Sequence, residues 1–266
     1  MASILVVPLD GSDLARSALT VGEQLARAFG GSVLLLTSGW GSTVEELEAN
    51  LSREAAALDV PTTTSVVPDT FPATAIAQAA DAAPDTVVVM ATHGRSGIGR
   101  ALLGSVAEDV LRGTDRPVTL VGPSTAADAG ITGGELVVTT DGSDTSAAVL
   151  PRAARWARTL SLSARIVTVV DQSGAAVGAE EGAAIGEALE RAADVFRAEE
   201  VPVELTKITG SDAASAIVGC ATELGASMIA MTTHARKGWE RTALGSVAMK
   251  VVHDSPCPVL VQKPLG

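Results

Sequence analysis

The chain has 266 residues, enough for two domains of ordinary size, and 47% of them are hydrophobic, enough for two cores. A net charge of -12 argues against a general nucleic-acid or anionic-membrane binder, and 2% aromatics with no tyrosine argues against stacking of bases on aromatic platforms. No apolar run approaches the ~20 residues of a membrane helix, and Met1-Ala-Ser-Ile-Leu-Val-Val begins as a strand without a basic leader, so a soluble, cytoplasmic protein is expected.

Residues 3–9 read as a buried strand running into Asp10-Gly-Ser-Asp, a turn that also supplies a helix cap. Apolar residues at helical spacing predict a helix over 14–29, stopped by Gly30-Gly31. Strands are expected at 33–38 and 62–67 around an acidic amphipathic helix over 43–58. A helix over 72–82 opens with Pro72 in its first turn. Strand 86–91 leads through a glycine-dotted loop into a helix over 105–112, and Pro117 introduces strand 118–121. Strands alternating with helices imply parallel βαβ units, and continuous Val/Leu runs fit strands buried on both faces.

Residues 123–134, small and Gly-containing, read as a linker, and the pattern then starts again. Strands are expected at 135–140, 164–170, 203–208, 227–231 and 258–261, with helices over 145–160, 181–198, 212–224 and 246–253. Asp141-Gly-Ser-Asp repeats Asp10-Gly-Ser-Asp, and Gly245-Ser-Val-Ala repeats Gly104-Ser-Val-Ala. The first pair is offset by 131 positions and the second by 141, so the second copy carries ten more residues between them, placed around 172–182. The domains are therefore expected at 1–122 and 135–266.

A strand, a Gly-rich loop and a helix N-terminus make a setting for phosphate, because backbone N–H groups point at the anion. In an open parallel sheet, ligands bind beyond the C-terminal strand ends where strand order reverses. If the first and fourth strands are neighbours there, Asp10 and the loop from Ala91 face one crevice. Two structural readings stand beside this one. Ser105-Val-Ala-Glu108 is a capping box pattern, and Asp10-Gly-Ser12 makes sense as a turn and cap alone. No P-loop, complete dinucleotide fingerprint, nucleophile elbow or metal-ligand spacing is present. His93 and His234 occupy matching positions and read as structural or ligand-adjacent. Cys220 and Cys257 read as small buried side chains, with a disulfide or metal pair as the alternative.

These residues resemble the universal stress proteins, here as a tandem pair covering nearly the whole chain. The nucleotide-binding members carry Gly-x2-Gly-x9-Gly-Ser/Thr. The first repeat reads Ala91-x2-Gly94-x9-Gly104-Ser105, and the second Thr232-x2-Ala235-x9-Gly245-Ser246. The resemblance implies an α/β fold of two Rossmann-like domains, of the adenine nucleotide alpha hydrolase-like type, each a five-stranded parallel sheet of order 3-2-1-4-5. It implies ATP, with or without Mg2+, as cofactor. In the first repeat Asp10 and the backbone near Ser38 would meet adenine, Ala91 the ribose, and Gly94, Gly104, Ser105 and Val106 the phosphates, with Pro8 and Met90 also among the cofactor-binding residues. Arg95 is added by its position and charge. In the second repeat the matching set is Asp141, Val169, Thr232, Gly245, Ser246 and Val247, with Thr232 adding bulk at the ribose and Ala235 a Cβ beside the phosphates. The family also implies pairing through the last strands, at 117–121 and 258–261, as a homodimer or an internal pseudo-dimer.

Three functions follow as expectations. The leading one is an ATP-binding, nucleotide-responsive regulator of stress adaptation without efficient catalysis, in which Gly104→Val would weaken binding. The others are a slow ATP hydrolase using Arg95, Arg100 and a divalent cation, and a ligand-free module for dimerisation or partner docking.

Overall fold

The computed structural model describes residues 4–39, 43–93, 103–126, 128–170, 179–233 and 244–264. Gly94, Arg95, Arg100, His234 and Ala235, and most of the expected insertion around 172–182, lie outside them. The chain divides into two compact units, Met1–Pro123 and Ser124–Gly266.

The first unit runs β1 (Ile4–Pro8), α1 (Asp13–Phe29), β2 (Ser32–Gly39), α2 (Val44–Ala56), β3 (Thr62–Pro68), α3 (Pro72–Asp81), β4 (Thr86–Ala91), α4 (Ser105–Gly113) and β5 (Val118–Val121). All of its strand pairs are parallel, in the order β3-β2-β1-β4-β5. Burial follows that order. Leu5, Val6 and Val7 of the central β1 are wholly buried, whereas the Thr-rich edge strand β3 is part-exposed along its length. The α1 helix lays Ala18, Val21, Leu25 and Ala26 against the sheet. Its N-cap is Ser12, whose hydroxyl accepts from the Ala15 amide at 3.2 Å, and Gly30 closes it in the left-handed region.

The second unit repeats the plan with β6 (Glu135–Thr139), α5 (Asp144–Ala147), α6 (Leu150–Thr159), β7 (Ser163–Val170), α7 (Ala179–Arg197), β8 (Val203–Thr209), α8 (Ala213–Glu223), β9 (Met228–Thr232), α9 (Ser246–Asp254) and β10 (Val259–Gln262). Its parallel order is β8-β7-β6-β9-β10. Each unit thus has the expected 3-2-1-4-5 arrangement.

Two local expectations need correction. The single helix expected over 145–160 is broken into α5 and α6. Pro151 has no N–H for the Ala147 carbonyl four residues back, and its ring crowds that carbonyl. The Ala148 carbonyl instead accepts from the Gln262 side-chain amide at 3.2 Å, and Gln262 in turn accepts from Arg152 Nε at 2.7 Å. The first repeat has Thr20 where the second has Pro151, and α1 is continuous. The second correction concerns Ser105. It is not an N-cap: Gly104 holds that position, no side chain caps α4, and Glu108 pairs with Arg112 one turn on. The segment before β6 is also more than a spacer. Ile131 is wholly buried, and the Ala126 amide donates to the Pro256 carbonyl at 3.1 Å.

Gly22 marks where α1 lies closest to the sheet, since a Cβ there would sit 2.7 Å from Val7 Cγ2. Overpacking of this kind costs ~1–3 kcal/mol. Gly22→Ala is expected to lower the thermal midpoint, and adding Val7→Ala to recover part of the loss; calorimetry of the single and double variants checks both.

Candidate functional site

The strand order reverses between β1 and β4, because the chain leaves β1 toward β2 on one side and β4 toward β5 on the other. Side chains at the C-terminal ends of those two strands therefore converge on one crevice. A cavity of about 300 Å³ lies there. The end of β1 contributes Pro8, Leu9 and Asp10, and the end of β2 contributes Leu36, Thr37 and Ser38. Met90, Ala91, Thr92 and His93 come from β4 and its exit, and Gly104, Ser105 and Val106 from the start of α4. Every described residue named from the first repeat lines this cavity.

Asp10 stands beyond β1 because Gly11 turns the chain with φ +84°, a left-handed conformation that suits glycine. Its Oδ1 accepts from the Ser12 amide at 3.0 Å, so the turn and cap expected from the sequence coexist with a carboxylate at the cavity. The Ser38 hydroxyl donates to the Thr70 carbonyl at 2.5 Å, which ties the end of β2 to the approach to α3. On the far wall, α4 begins without a side-chain cap, so its first-turn amides and positive dipole end meet the cavity beside Ser105 and Val106. His93 is buried, with Nδ1 3.0 Å from the Thr92 hydroxyl.

Gly104 is held by backbone. Its amide donates to the Thr92 carbonyl at 2.8 Å, and a Cβ on Gly104 would stand 2.7 Å from that same oxygen. Its φ of -73° is ordinary, so the glycine is required by proximity and not by a left-handed turn. Gly104→Val is consequently a poor probe of ligand binding, because it disturbs the loop-to-helix junction with or without ligand.

The second unit has a cavity of about 510 Å³ in the corresponding place. Asp141, Val169, Thr232, Gly245, Ser246 and Val247 all line it, and the Gly245 amide again donates to a strand-exit carbonyl, that of Thr233, at 2.9 Å. Its chemistry is more polar. Thr139 and Thr140 stand where the first unit has Pro8 and Leu9, and Ser146 where it has Ala15. Desolvation opposes ionisation of Asp141, but the hydroxyls of Ser143 and Ser146 and the Ser143 amide outweigh it and hold the carboxyl below its ordinary range. The stability this contributes is present above the unfolded carboxylate's pKa and is lost as pH falls through the folded one.

Sequence reasoning missed the helical walls. Pro72 and Ile76 of α3 line the first cavity, and Ala213 and Ile217 of α8 the second. The four-residue spacing that puts each pair on one helical face was visible, but its direction toward the cavity depends on how α3 and α8 pack. The two cysteines are free, Cys257 buried and Cys220 half-exposed. Among the described residues, no group of acidic, histidine or cysteine side chains could hold a metal ion.

Two repeated parallel α/β units, each with a carboxylate and a helix N-terminus facing across a cavity at the reversal of its sheet, define a duplicated Rossmann-like protein. The chain belongs to the universal stress protein family, whose model matches residues 1–122 and 134–263. It is 34% identical over 138 residues to Universal stress protein MJ0531 of Methanocaldococcus jannaschii, a match covering 48% of this chain and 81% of that protein. Its fold is similar to the crystal structure of a universal stress protein from Archaeoglobus fulgidus, with a TM-score of 0.73, 20% identity and 99% coverage of both chains. A shorter universal stress protein from Archaeoglobus fulgidus, whose structure is a complex with dAMP, matches with a TM-score of 0.42 and 25% identity over 50% of this chain and 99% of that one.

Two outcomes follow from the geometry. Gly104→Ala should lower the midpoint of denaturant unfolding measured without nucleotide, because the clash is with backbone. Burial pushes the Cys257 thiol up to about 11 and raises the half-exposed Cys220 as well. Iodoacetamide at neutral pH should therefore label Cys220 first and Cys257 only on unfolding, as mass spectrometry of timed samples will read.

Proposed function

We propose that the chain binds ATP, with Mg2+ as counter-ion, and acts as a nucleotide-responsive regulator in stress adaptation. The observation that carries this reading is the paired construction of each cavity. A carboxylate at the end of β1 or β6 suits the amino group of a base or the hydroxyls of a ribose, and the uncapped start of α4 or α9 suits phosphate. Volumes of about 300 and 510 Å³ fall within the ~300–1,000 Å³ usual for small-molecule sites. In the first cavity Leu36 and Ile76 offer apolar walls for a planar base, and Asp10 stands at its edge. The bound nucleotide would supply the triphosphate and its metal; the chain's part is to orient the base and to screen phosphate charge with helix amides.

We assign a binding role and not efficient turnover; a steady ATP hydrolysis that vanishes in folded Asp10→Ala would overturn that assignment. A cytoplasmic setting and pairing of two chains through their last strands belong to the same proposal. Light scattering that returns the mass of one chain would remove the pairing. Among the described residues no helix is long and apolar enough to cross a membrane.

Denaturing freshly purified protein and quantifying released nucleotide by chromatography tests the main reading. About two ATP per chain is expected if both cavities are competent and about one if only the first is. No release, with no heat on titration with ATP and magnesium, overturns it. Asp10→Ala should weaken binding at the first cavity roughly tenfold, the scale of a lost charged hydrogen bond, with the fold intact.

A further inference from the structure

The two repeats carry the same Asp-Gly-Ser turn but hold it by different means. In the second unit, the Thr140 and Ser146 hydroxyls lie 2.8 Å apart and are both buried. Thr140 Oγ1 accepts from the Gly142 amide at 3.0 Å, and Ser146 Oγ accepts from the Asp141 amide at 3.3 Å. The Ser146 hydroxyl donates to the Ser143 carbonyl at 2.9 Å, while the Ser143 hydroxyl donates to Asp141 Oδ1 at 2.6 Å. The turn is thus bonded along its length to two side chains beneath it. In the first unit these two positions are Leu9 and Ala15, which have no hydroxyl. Thr140 and Ser146 also line the second cavity, together with Asp141.

We propose that Thr140 and Ser146 are positioning residues that order the Asp141 turn before any ligand arrives, making the second cavity the pre-organised one of the pair. This rests on the nucleotide reading of the same cavities. It reverses their ranking by motif, in which the first repeat keeps more of the family glycines. The physical reason is that a turn held by two buried hydroxyls in addition to its own cap loses less conformational freedom on binding than one that lacks those hydroxyls, and the difference counts toward affinity. The hydroxyls offset what Thr232 and the missing glycine take away, and the two cavities respond over different nucleotide concentrations.

Backbone amide NMR on the full chain separates the pieces. In ligand-free protein, the Asp141 and Gly142 amides should exchange with solvent more slowly than those of Asp10 and Gly11. The double variant Thr140→Val, Ser146→Ala should bring exchange at the second turn up toward that of the first. Titration with ATP and magnesium, followed at each turn, should show the second site weakened roughly tenfold by the double variant and the first unchanged. Thr140→Ser, which keeps the hydroxyl, should retain both protection and affinity. Equal exchange of the two turns in the unaltered protein would overturn the positioning role alone. So would a freed turn that binds as tightly as before. Slow exchange at the second turn with no ATP response at either site would overturn the nucleotide reading and the positioning role with it.

Discussion

Each site depends on one backbone hydrogen bond, from Gly104 to Thr92 in the first unit and from Gly245 to Thr233 in the second. It ties the residue before α4 or α9 to the exit of β4 or β9, and so fixes where each helix begins. An unmet buried amide or carbonyl at that junction would cost ~1–3 kcal/mol. The closeness that makes the bond excludes a Cβ on Gly104. The start of α4 is consequently held beside the exit of β4, lining the same cavity as the carboxylate at the end of β1. Function and fold share this contact, which is why a substitution at Gly104 cannot separate them.

Much of this architecture was legible in the sequence, for physical reasons. Buried parallel strands require continuous Val/Leu runs, and the alternation of such runs with Ala-rich amphipathic segments specifies βαβ units. The duplication was legible because Asp-Gly-Ser-Asp and Gly-Ser-Val-Ala each occur twice. Strand order was not contained in those patterns and came with the family resemblance. Ser105 was misread because a capping box and a helix that starts one residue earlier have the same letters; only the backbone at Gly104 distinguishes them. The hydroxyl pair beneath Asp141 was invisible for a related reason. Thr140 and Ser146 are six positions apart, and their contact exists only once the turn between them has closed.

The repeats show how a duplicated domain diverges while its frame stays constant. Where the first unit clips its site with apolar packing from Leu9 and Ala15, the second uses hydroxyls. At the groove between α8 and α9, Lys250 bonds Asp212 and, at 3.0 Å, Ser215; the first unit has Asp109, Phe71 and Thr74 at those places, and Phe71 is 71% exposed. These exchanges fall on side chains around the sheet, and the parallel hydrogen-bond ladder itself is untouched.

The break at Pro151 bears on the order in which the chain can be completed. In the first unit α1 runs without a break. In the second, the Ala148 carbonyl at the break is met by Gln262, 114 residues later. On the ribosome, where domains form as they emerge, the first unit can close while the second is still being made. In the second, the bond at the helix break near its start can form only once β10, which carries Gln262, has been made.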